Sequence, residues 1–158
     1  MPSIIVLDTG PLSNSVVSFA RPEKAPTVSQ QCRQWMSDCE HSGKVLLVPA
    51  ICYYEVLREL ERRKATGKIR RLQEFVFGVP DRFIPLTTHH LEAAARMWGA
   101  ARNAGVPTAS DDALDADVIL CAQALSLELA SIDYLVATTN AGHLAQFVPC
   151  DEWTSIEP

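Results

Sequence analysis

Several protein classes are excluded by what the sequence lacks. Its five cysteines show no Cys-x-x-Cys spacing, and an odd number argues against a disulfide framework or a zinc ribbon. No apolar stretch approaches the roughly 20 residues that a membrane span needs, and no basic segment precedes the first apolar run, as it would in a signal peptide. We therefore expect a reduced protein that does not bind membranes and lies in the cytoplasm.

Positive charge is scarce overall but concentrated in one segment. The formal net charge is −5, and this balance by itself does not indicate a nucleic-acid-binding protein. However, half of the 14 lysines and arginines fall within one stretch, and only two acidic residues lie among them. The members of this basic strip are Arg58, Arg62, Arg63, Lys64, Lys68, Arg70 and Arg71.

The chain has the size and composition of one globular domain. It contains 158 residues, of which 47% are hydrophobic and 21% charged, and such a chain buries enough surface to fold without metals or disulfides. No repeat, low-complexity tract or linker divides it, and no glycine-rich phosphate loop is present. We predict a single domain over residues 1–158.

Short apolar runs alternate with segments of helical periodicity. The runs predict strands at residues 4–7, 45–48, 83–86, 134–137 and 147–148, and the periodic segments predict helices between them. One helix is expected to begin at 12–19, and another to run from Pro49 until Gly67 breaks it; further helices are predicted at 27–41, 68–77, 87–104, 112–127 and 141–146. Buried strands separated by helices indicate an α/β fold whose parallel sheet is covered on both faces.

Oxygen-bearing side chains follow three of the predicted strands or lie on the helices after them. In an open parallel sheet, ligands bind beyond the carboxyl ends of the strands, so we expect these side chains to meet there. They are Asp8 after the first strand, Glu55 two turns into the helix after the second, Asp115 and Asp117 in the helix that starts at Asp112, and Asn140 after the fourth.

A cluster of this composition suits a hard divalent cation. Carboxylate and amide oxygens without sulfur are the ligands that Mg²⁺ and Mn²⁺ prefer, and Mg²⁺ commonly completes its shell with water and substrate phosphate. Such an ion polarises a phosphate and lowers the pKa of an attacking water, which favours phosphodiester hydrolysis. Without a cation, converging carboxylates raise the pKa values of one another.

Each acid taken alone has an ordinary structural interpretation. Glu55 is spaced to pair with Arg58 or Arg62 on one helix face, and Asp115 suits the first turns of a helix. Asp117 fits such an explanation least well, because its helical neighbours place it beside the buried face, where an unpaired acid is costly. The shared position of these acids, rather than any one of them, supports a site.

Two other doubly wound enzyme or signalling classes also begin with a strand and an aspartate. A phosphatase of the haloacid-dehalogenase type requires a second aspartate two residues later, where this chain has Gly10. A phospho-acceptor receiver domain requires paired acids after its first strand and a lysine near its last strand, and neither is evident. Both alternatives are disfavoured.

Four segments together resemble the PIN-domain family, and most closely the VapC-type toxins of bacterial toxin–antitoxin pairs. These are IVLDTGPL at residues 5–12, PAICYYEVLREL at 49–60, LDADVILCAQA at 114–124 and VATTNAGHL at 136–144. The resemblance implies a three-layer α/β/α sandwich with a central, mostly parallel five-stranded sheet. It also implies a homodimer and a cognate antitoxin.

The resemblance assigns roles to the clustered residues. Asp8, Glu55 and Asp117 correspond to the three core acids that hold Mg²⁺ or Mn²⁺, and Asp115 to an accessory acid. Asn140 stands where many relatives have a fourth aspartate, while the hydroxyls of Thr9 and Thr138 would orient the ligands; these residues are supporting.

The implied activity is metal-dependent endoribonuclease cleavage of RNA. The basic strip would guide the RNA backbone, with a solvated helix face as the alternative. A PIN-like RNA-processing nuclease that is not a toxin, and a non-catalytic nucleic-acid-binding PIN module, remain alternative functions.

Overall fold

The computed structural model describes residues 2–105 and 110–158. Within these ranges, five strands are found: β1 (Ile4–Leu7), β2 (Val45–Pro49), β3 (Phe83–Ile84), β4 (Tyr134–Thr138) and β5 (Cys150–Glu152). The helices are α1 (Thr9–Ser13), α2 (Val28–His41), α3 (Ala50–Arg62), α4 (Thr66–Phe77), α5 (Thr88–Asn103), α6 (Asp111–Leu129) and α7 (Ala141–Leu144). Two 3₁₀ turns cover Asn14–Val16 and Trp153–Ser155.

The five strands form one sheet in the order β3-β2-β1-β4-β5, and every neighbouring pair is parallel. The predicted α/β class is therefore confirmed, and the sheet is parallel throughout. The chain builds outwards from β1 in one direction through β2 and β3, and in the other through β4 and β5. The crevice at the carboxyl ends of β1 and β4 is thus the point where the strand order reverses, which is where such sheets bind ligands.

Burial of the sheet on both faces explains why the strands appear in the sequence as unbroken apolar runs. Ile5, Val6 and Leu7 are each 0% exposed, and successive strand residues point to opposite faces of the sheet. Both faces of β1 are therefore covered, as expected for a parallel sheet. A smaller cluster of mainly short side chains joins α5 to α6 and includes Ala94 and Ala122. No helix in the described ranges has the length and hydropathy needed to cross a membrane.

The boundary between α3 and α4 differs from the prediction. Gly67 lies within α4 and does not end α3, which stops at Arg62. The helix ends because Lys64 adopts a left-handed φ of 54°, so that the Ala65 N–H bonds back to Leu60 O at 3.0 Å and the Lys64 N–H to Glu61 O at 2.9 Å. This is the Schellman arrangement, built here on a lysine rather than on glycine.

Three other predicted elements are also corrected. The last strand is β5 and not residues 147–148, because the Phe147 and Val148 N–H groups bond to Leu144 O in the turn after α7. The first helix begins at Thr9, earlier than residue 12, because the Asp8 side chain caps it. Residues 83–86 pair with the sheet only over Phe83–Ile84, since the next residue is a proline, which has no N–H to donate.

Gln123 joins three elements around the candidate site. It is fully buried on α6; its Oε1 accepts from the Ile51 N–H at the start of α3 (3.2 Å), and its Nε2 donates to Ile84 O at the end of β3 (2.8 Å). The side chain therefore fixes where α3 begins relative to α6.

Gln123→Ala is expected to lower the free energy of unfolding by about 2–4 kcal/mol, because it leaves a cavity and two unpaired backbone groups. Urea denaturation measures the change, with the exposed Gln73→Ala on α4 as the matched control. Equal stability of the two variants would contradict the bridging role.

Candidate active site

Asp8 is held at both carboxylate oxygens where β1 ends. Its backbone N–H continues the ladder to Ala137 O at 3.0 Å. Its Oδ1 accepts from the Thr9 N–H at 2.7 Å, and its Oδ2 accepts from Thr138 Oγ1 at 2.7 Å. Because Thr138 is buried at the end of β4, the pairing of β1 with β4 sets the orientation of the Asp8 carboxylate.

Glu55 is linked to Asp8 through Thr9, the residue that follows Asp8 in the chain. The Thr9 Oγ1 donates to Glu55 Oε1 at 2.9 Å, so that Thr9 contacts both acids. The other oxygen, Oε2, lies 3.4 Å from the Arg58 Nη2, which is the helical pairing expected from the spacing. The Glu55 side chain is 20% exposed, so it remains partly accessible to solvent.

Asp117 is the third acid of this group. Burial raises the pKa of Asp117 from 3.8 to about 6; the negative charge of Asp8 and, more weakly, of Glu55 adds to the rise, while His143 opposes it. The three acids thus lie within electrostatic reach of one another, although they come from β1, α3 and α6. The predicted convergence of Asp8, Glu55 and Asp117 is found in the structure.

Asn140 and Asp115 lie around this group in different ways. The Asn140 N–H donates to Thr138 Oγ1 at 3.1 Å, so the residue supports Thr138 through its backbone, and its own side chain is exposed at the start of α7. Asp115 is exposed and lines, together with Glu55, a groove of about 570 Å³ between α3 and α6. Side chains two positions apart on a helix point in directions that differ by about 200°, so Asp115 and Asp117 face different surroundings.

Cys52 is a contact of the site that the sequence did not indicate. Its Sγ lies 3.9 Å from Asp8 Oδ1, and burial, followed by the charge of Asp8, raises the pKa of the Cys52 thiol well above its usual value. The thiol is therefore a weak donor to Asp8. Its position three residues before Glu55, on the same face of α3, is the signal that places it here.

The chemistry of the donors fits a hard cation. The three convergent side chains offer only carboxylate oxygens, which are the ligands of Mg²⁺ and Mn²⁺, and their mutual repulsion at Asp117 is relieved by positive charge. Among the described residues, no group of three or more His, Cys, Asp or Glu side chains is arranged so that it could hold a metal ion. Oxygens of water or substrate would have to complete the shell of an ion bound by these acids.

The basic strip is divided between two helices. Arg62, the last residue of α3, and Arg63, which follows it, both contact Glu59. The hydrogen bond from Arg62 and, with a smaller effect, the one from Arg63 lower the pKa of Glu59 to about 2. Arg58 contacts Glu55, whereas Arg71 on α4 donates from its Nη1 to Val16 O at 3.1 Å. All seven members of the strip, Arg71 included, are exposed.

Gly10 lies where the chain after Asp8 passes the loop after β4. A Cβ at this position would lie 2.7 Å from both Cγ2 and Oγ1 of Thr139, too close for either atom. Gly10→Ala is therefore expected to displace Thr139, and with it the neighbouring Thr138 that holds Asp8.

We expect Gly10→Ala to reduce the activity proposed below about 10-fold, the scale on which ligand-orienting groups act, with a smaller effect on stability because Thr139 is exposed. The double variant with Thr139→Ala should recover most of the activity, and its turnover rate and Tm would be compared with those of each single variant. Failure of Thr139→Ala to restore activity would contradict the steric explanation.

The fold is PIN-like, as the likeness to known structures shows. A chain in the structure of VapBC2 from Rickettsia felis, bound to a DNA fragment from their promoter, matches with a TM-score of 0.65 and 11% identity over 95% of this chain and 98% of that chain. VapBC-1 from nontypeable Haemophilus influenzae matches with a TM-score of 0.64 and 14% identity over 96% of this chain and 99% of that chain. FitAcB from Neisseria gonorrhoeae matches with a TM-score of 0.65 and 18% identity over 96% of this chain and 99% of that chain.

By sequence, no family model and no curated protein matches this chain. At the identities of the three structures the likeness establishes the shared fold. It confirms, for the fold, the resemblance to VapC-type PIN domains that the four sequence segments carry.

Proposed function

We propose that this chain is a metal-dependent endoribonuclease that acts as the toxin of a toxin–antitoxin pair. The observation that carries the proposal is the meeting of Asp8, Glu55 and Asp117 at the reversal point of a PIN-like sheet, where Thr9 and Thr138 fix the first two. The fold supports the toxin assignment, since its structural neighbours include VapBC proteins.

In this proposal Asp8 and Asp117, with Glu55, hold Mg²⁺ or Mn²⁺. When bound, the ion polarises the scissile phosphate, activates a water and shields the developing charge. The Thr138 hydroxyl keeps the Asp8 carboxylate in one orientation through its bond to Oδ2. Asp117 must give up its proton to act as a ligand, and the nearby His143 favours that loss.

The remaining residues of the proposed site act on water and substrate. The Thr9 hydroxyl holds Oε1 of Glu55, while Oε2, which also contacts Arg58, would position the attacking water. Asp115 lines the groove beside Glu55 and would act there as an accessory acid, while Asn140 supports water through its amide. The basic strip would bind the RNA backbone by contacts that fix position rather than sequence.

Assembly is part of the same proposal. A homodimer and a protein antitoxin are the partners that the PIN-like fold suggests, and the second is supported by the VapBC neighbours. The site of action would be the cytoplasm.

The test is RNA cleavage by the purified chain, free of any partner, with Mg²⁺ or Mn²⁺ and with EDTA as the control. Cleavage of total RNA that requires the ion supports the nuclease, and induced growth arrest that a neighbouring gene product reverses supports the toxin. Cleavage without growth arrest would favour the RNA-processing alternative. Absence of both cleavage and Mn²⁺ binding by calorimetry would favour the non-catalytic module.

A further inference from the structure

A second polar pocket lies at the far end of the segment that begins with Asp8. It has a volume of about 300 Å³ and is bounded by the 3₁₀ turn at Asn14–Val16 and by α2 and α4. Its charged and polar lining residues are Ser15, Arg33, Arg71 and Glu74, and its aromatic ones are Phe19 and Phe75. Of these residues, the function proposed above uses only Arg71, as a member of the basic strip.

Arg33 is a cation without an acidic partner in the described part of the chain. Its guanidinium lies 4.5 Å from the centre of the Phe19 ring and 5.7 Å from that of Phe75, and no ion pair involves it. Burial lowers the pKa of Arg33 below its usual value. Phe19 and Phe75 therefore flank a partly desolvated guanidinium whose N–H donors have no hydrogen-bond partner in the described structure.

Arg71 presents a second guanidinium to the same pocket from α4. Its one hydrogen bond, from Nη1 to Val16 O at 3.1 Å, anchors the side chain over the 3₁₀ turn. A guanidinium has five N–H donors, so most of them remain for a ligand. Two arginines from different helices, both without a carboxylate partner, form the donor arrangement that binds a phosphate or another oxyanion.

Ser15 supplies an independent observation. The residue is 4% exposed, and its Oγ has no hydrogen-bond partner within the described structure. A buried hydroxyl without a partner destabilises the fold, so such a group requires an explanation. Ser15 lines the pocket that holds the two arginines, and an oxygen-bearing ligand there would pair with the hydroxyl.

We propose that Arg33, Arg71 and Ser15 form a phosphate-binding site distinct from the three-acid centre. Ser15 follows Asp8 through α1 and into the 3₁₀ turn, a distance of about 12 Å at the rises of these helices. The phosphate is either one in the backbone of a bound RNA strand or free inorganic phosphate. Only the RNA source depends on the function proposed above.

The first experiment titrates the metal-free protein with inorganic phosphate at low ionic strength by calorimetry. Arg33→Gln and Arg71→Gln are each expected to weaken binding at least about tenfold, because each removes charge-assisted hydrogen bonds. Arg96→Gln is the matched control, since it removes the same charge from an exposed position on α5 that lines neither the pocket nor the basic strip, and it should change the affinity less than twofold. Absence of phosphate binding, or equal losses for Arg96→Gln and Arg71→Gln, would overturn the site.

Two further variants test the pocket's polarity and its hydroxyl. Glu74→Gln should tighten phosphate binding, because it removes a carboxylate from the lining. Ser15→Ala should weaken phosphate binding while leaving the Tm of the free protein unchanged or higher, since the hydroxyl has no partner to lose. A lower Tm for Ser15→Ala would overturn the role of Ser15.

The source of the phosphate is decided with an RNA oligonucleotide and the Asp8→Asn protein, which prevents cleavage. Arg33→Gln decides between the sources, because Arg33 lines the pocket but lies outside the basic strip. If it also weakens RNA binding and flattens its salt dependence, the site holds a backbone phosphate. If it weakens only phosphate binding, the ligand is the free anion. The phosphate titration requires no nuclease activity, so failure of the proposed function and failure of this site are distinguishable.

Discussion

Replacing Asp8 by asparagine is expected to reduce the rate of Mn²⁺-dependent RNA cleavage by at least about 100-fold, more than the loss of a group that only orients a ligand. Asn removes the negative charge but keeps the shape of the side chain. It also retains an oxygen that can accept from the Thr9 N–H, and asparagine caps helices as well as aspartate does. The loss of activity should therefore occur without loss of the fold.

The measurement is the initial rate of product formation from total RNA, together with Tm in EDTA for each variant. Asp133→Asn is the matched control, because Asp133 is exposed and directly precedes β4, at the opposite end of the sheet. Thr138→Val should lower the rate by an intermediate amount, about 10–100-fold, since it releases the Asp8 carboxylate and the Asn140 N–H but keeps all three acids. A rate for Asp8→Asn within threefold of the original would contradict the assignment of the site.

Replacing Asp117 by asparagine is expected to stabilise the metal-free protein at pH 7.5 and not at pH 4. The pKa of Asp117 in the fold is about 6 against the usual 3.8, so the fold prefers the protonated form. That preference contributes fully below pH 3.8, and the contribution is lost as the pH rises through 6. Asparagine cannot ionise and loses nothing over the same interval.

The size of this effect follows from the same two values. A difference between 3.8 and about 6 sets an upper limit of about 3 kcal/mol, and because the side chain is partly exposed, solvent screening reduces the expected gain to about 1–2 kcal/mol. Urea denaturation at the two pH values in EDTA measures it, again with Asp133→Asn as the control. A gain of equal size at pH 4 and pH 7.5 would contradict an electrostatic origin.

Added Mn²⁺ should reverse the order of stability. A ligand that binds only the folded state stabilises it, and the original protein, with all three acids, would bind the ion more tightly than Asp117→Asn. The acid would thus lower the stability of the free protein in return for a functional site. A larger Mn²⁺-induced rise in Tm for the variant would be inconsistent with Asp117 as a ligand.

The sequence predicted the convergence of Asp8, Glu55 and Asp117 more reliably than it predicted the local geometry around them. Asp8 could be placed because an apolar run that stops at an acid marks the carboxyl end of a buried strand. Asp117 could be predicted as a member of the group because an unpaired acid beside the buried face of a helix is costly. By contrast, Gly67 was misread as the end of α3, because the left-handed residue is Lys64 and a lysine gives no composition signal for that conformation.

By itself, the sequence determined the α/β class, the order of most elements, and the set of acids from which a site can be built, because strand and helix periodicity and strand-end residues are local properties. Only the tertiary structure decided that Thr9 bonds to Glu55 and Thr138 to Asp8, and that Arg33, Arg71 and Ser15 share a pocket. These contacts join segments up to 130 residues apart. They depend on strand order and helix packing, which local patterns do not encode.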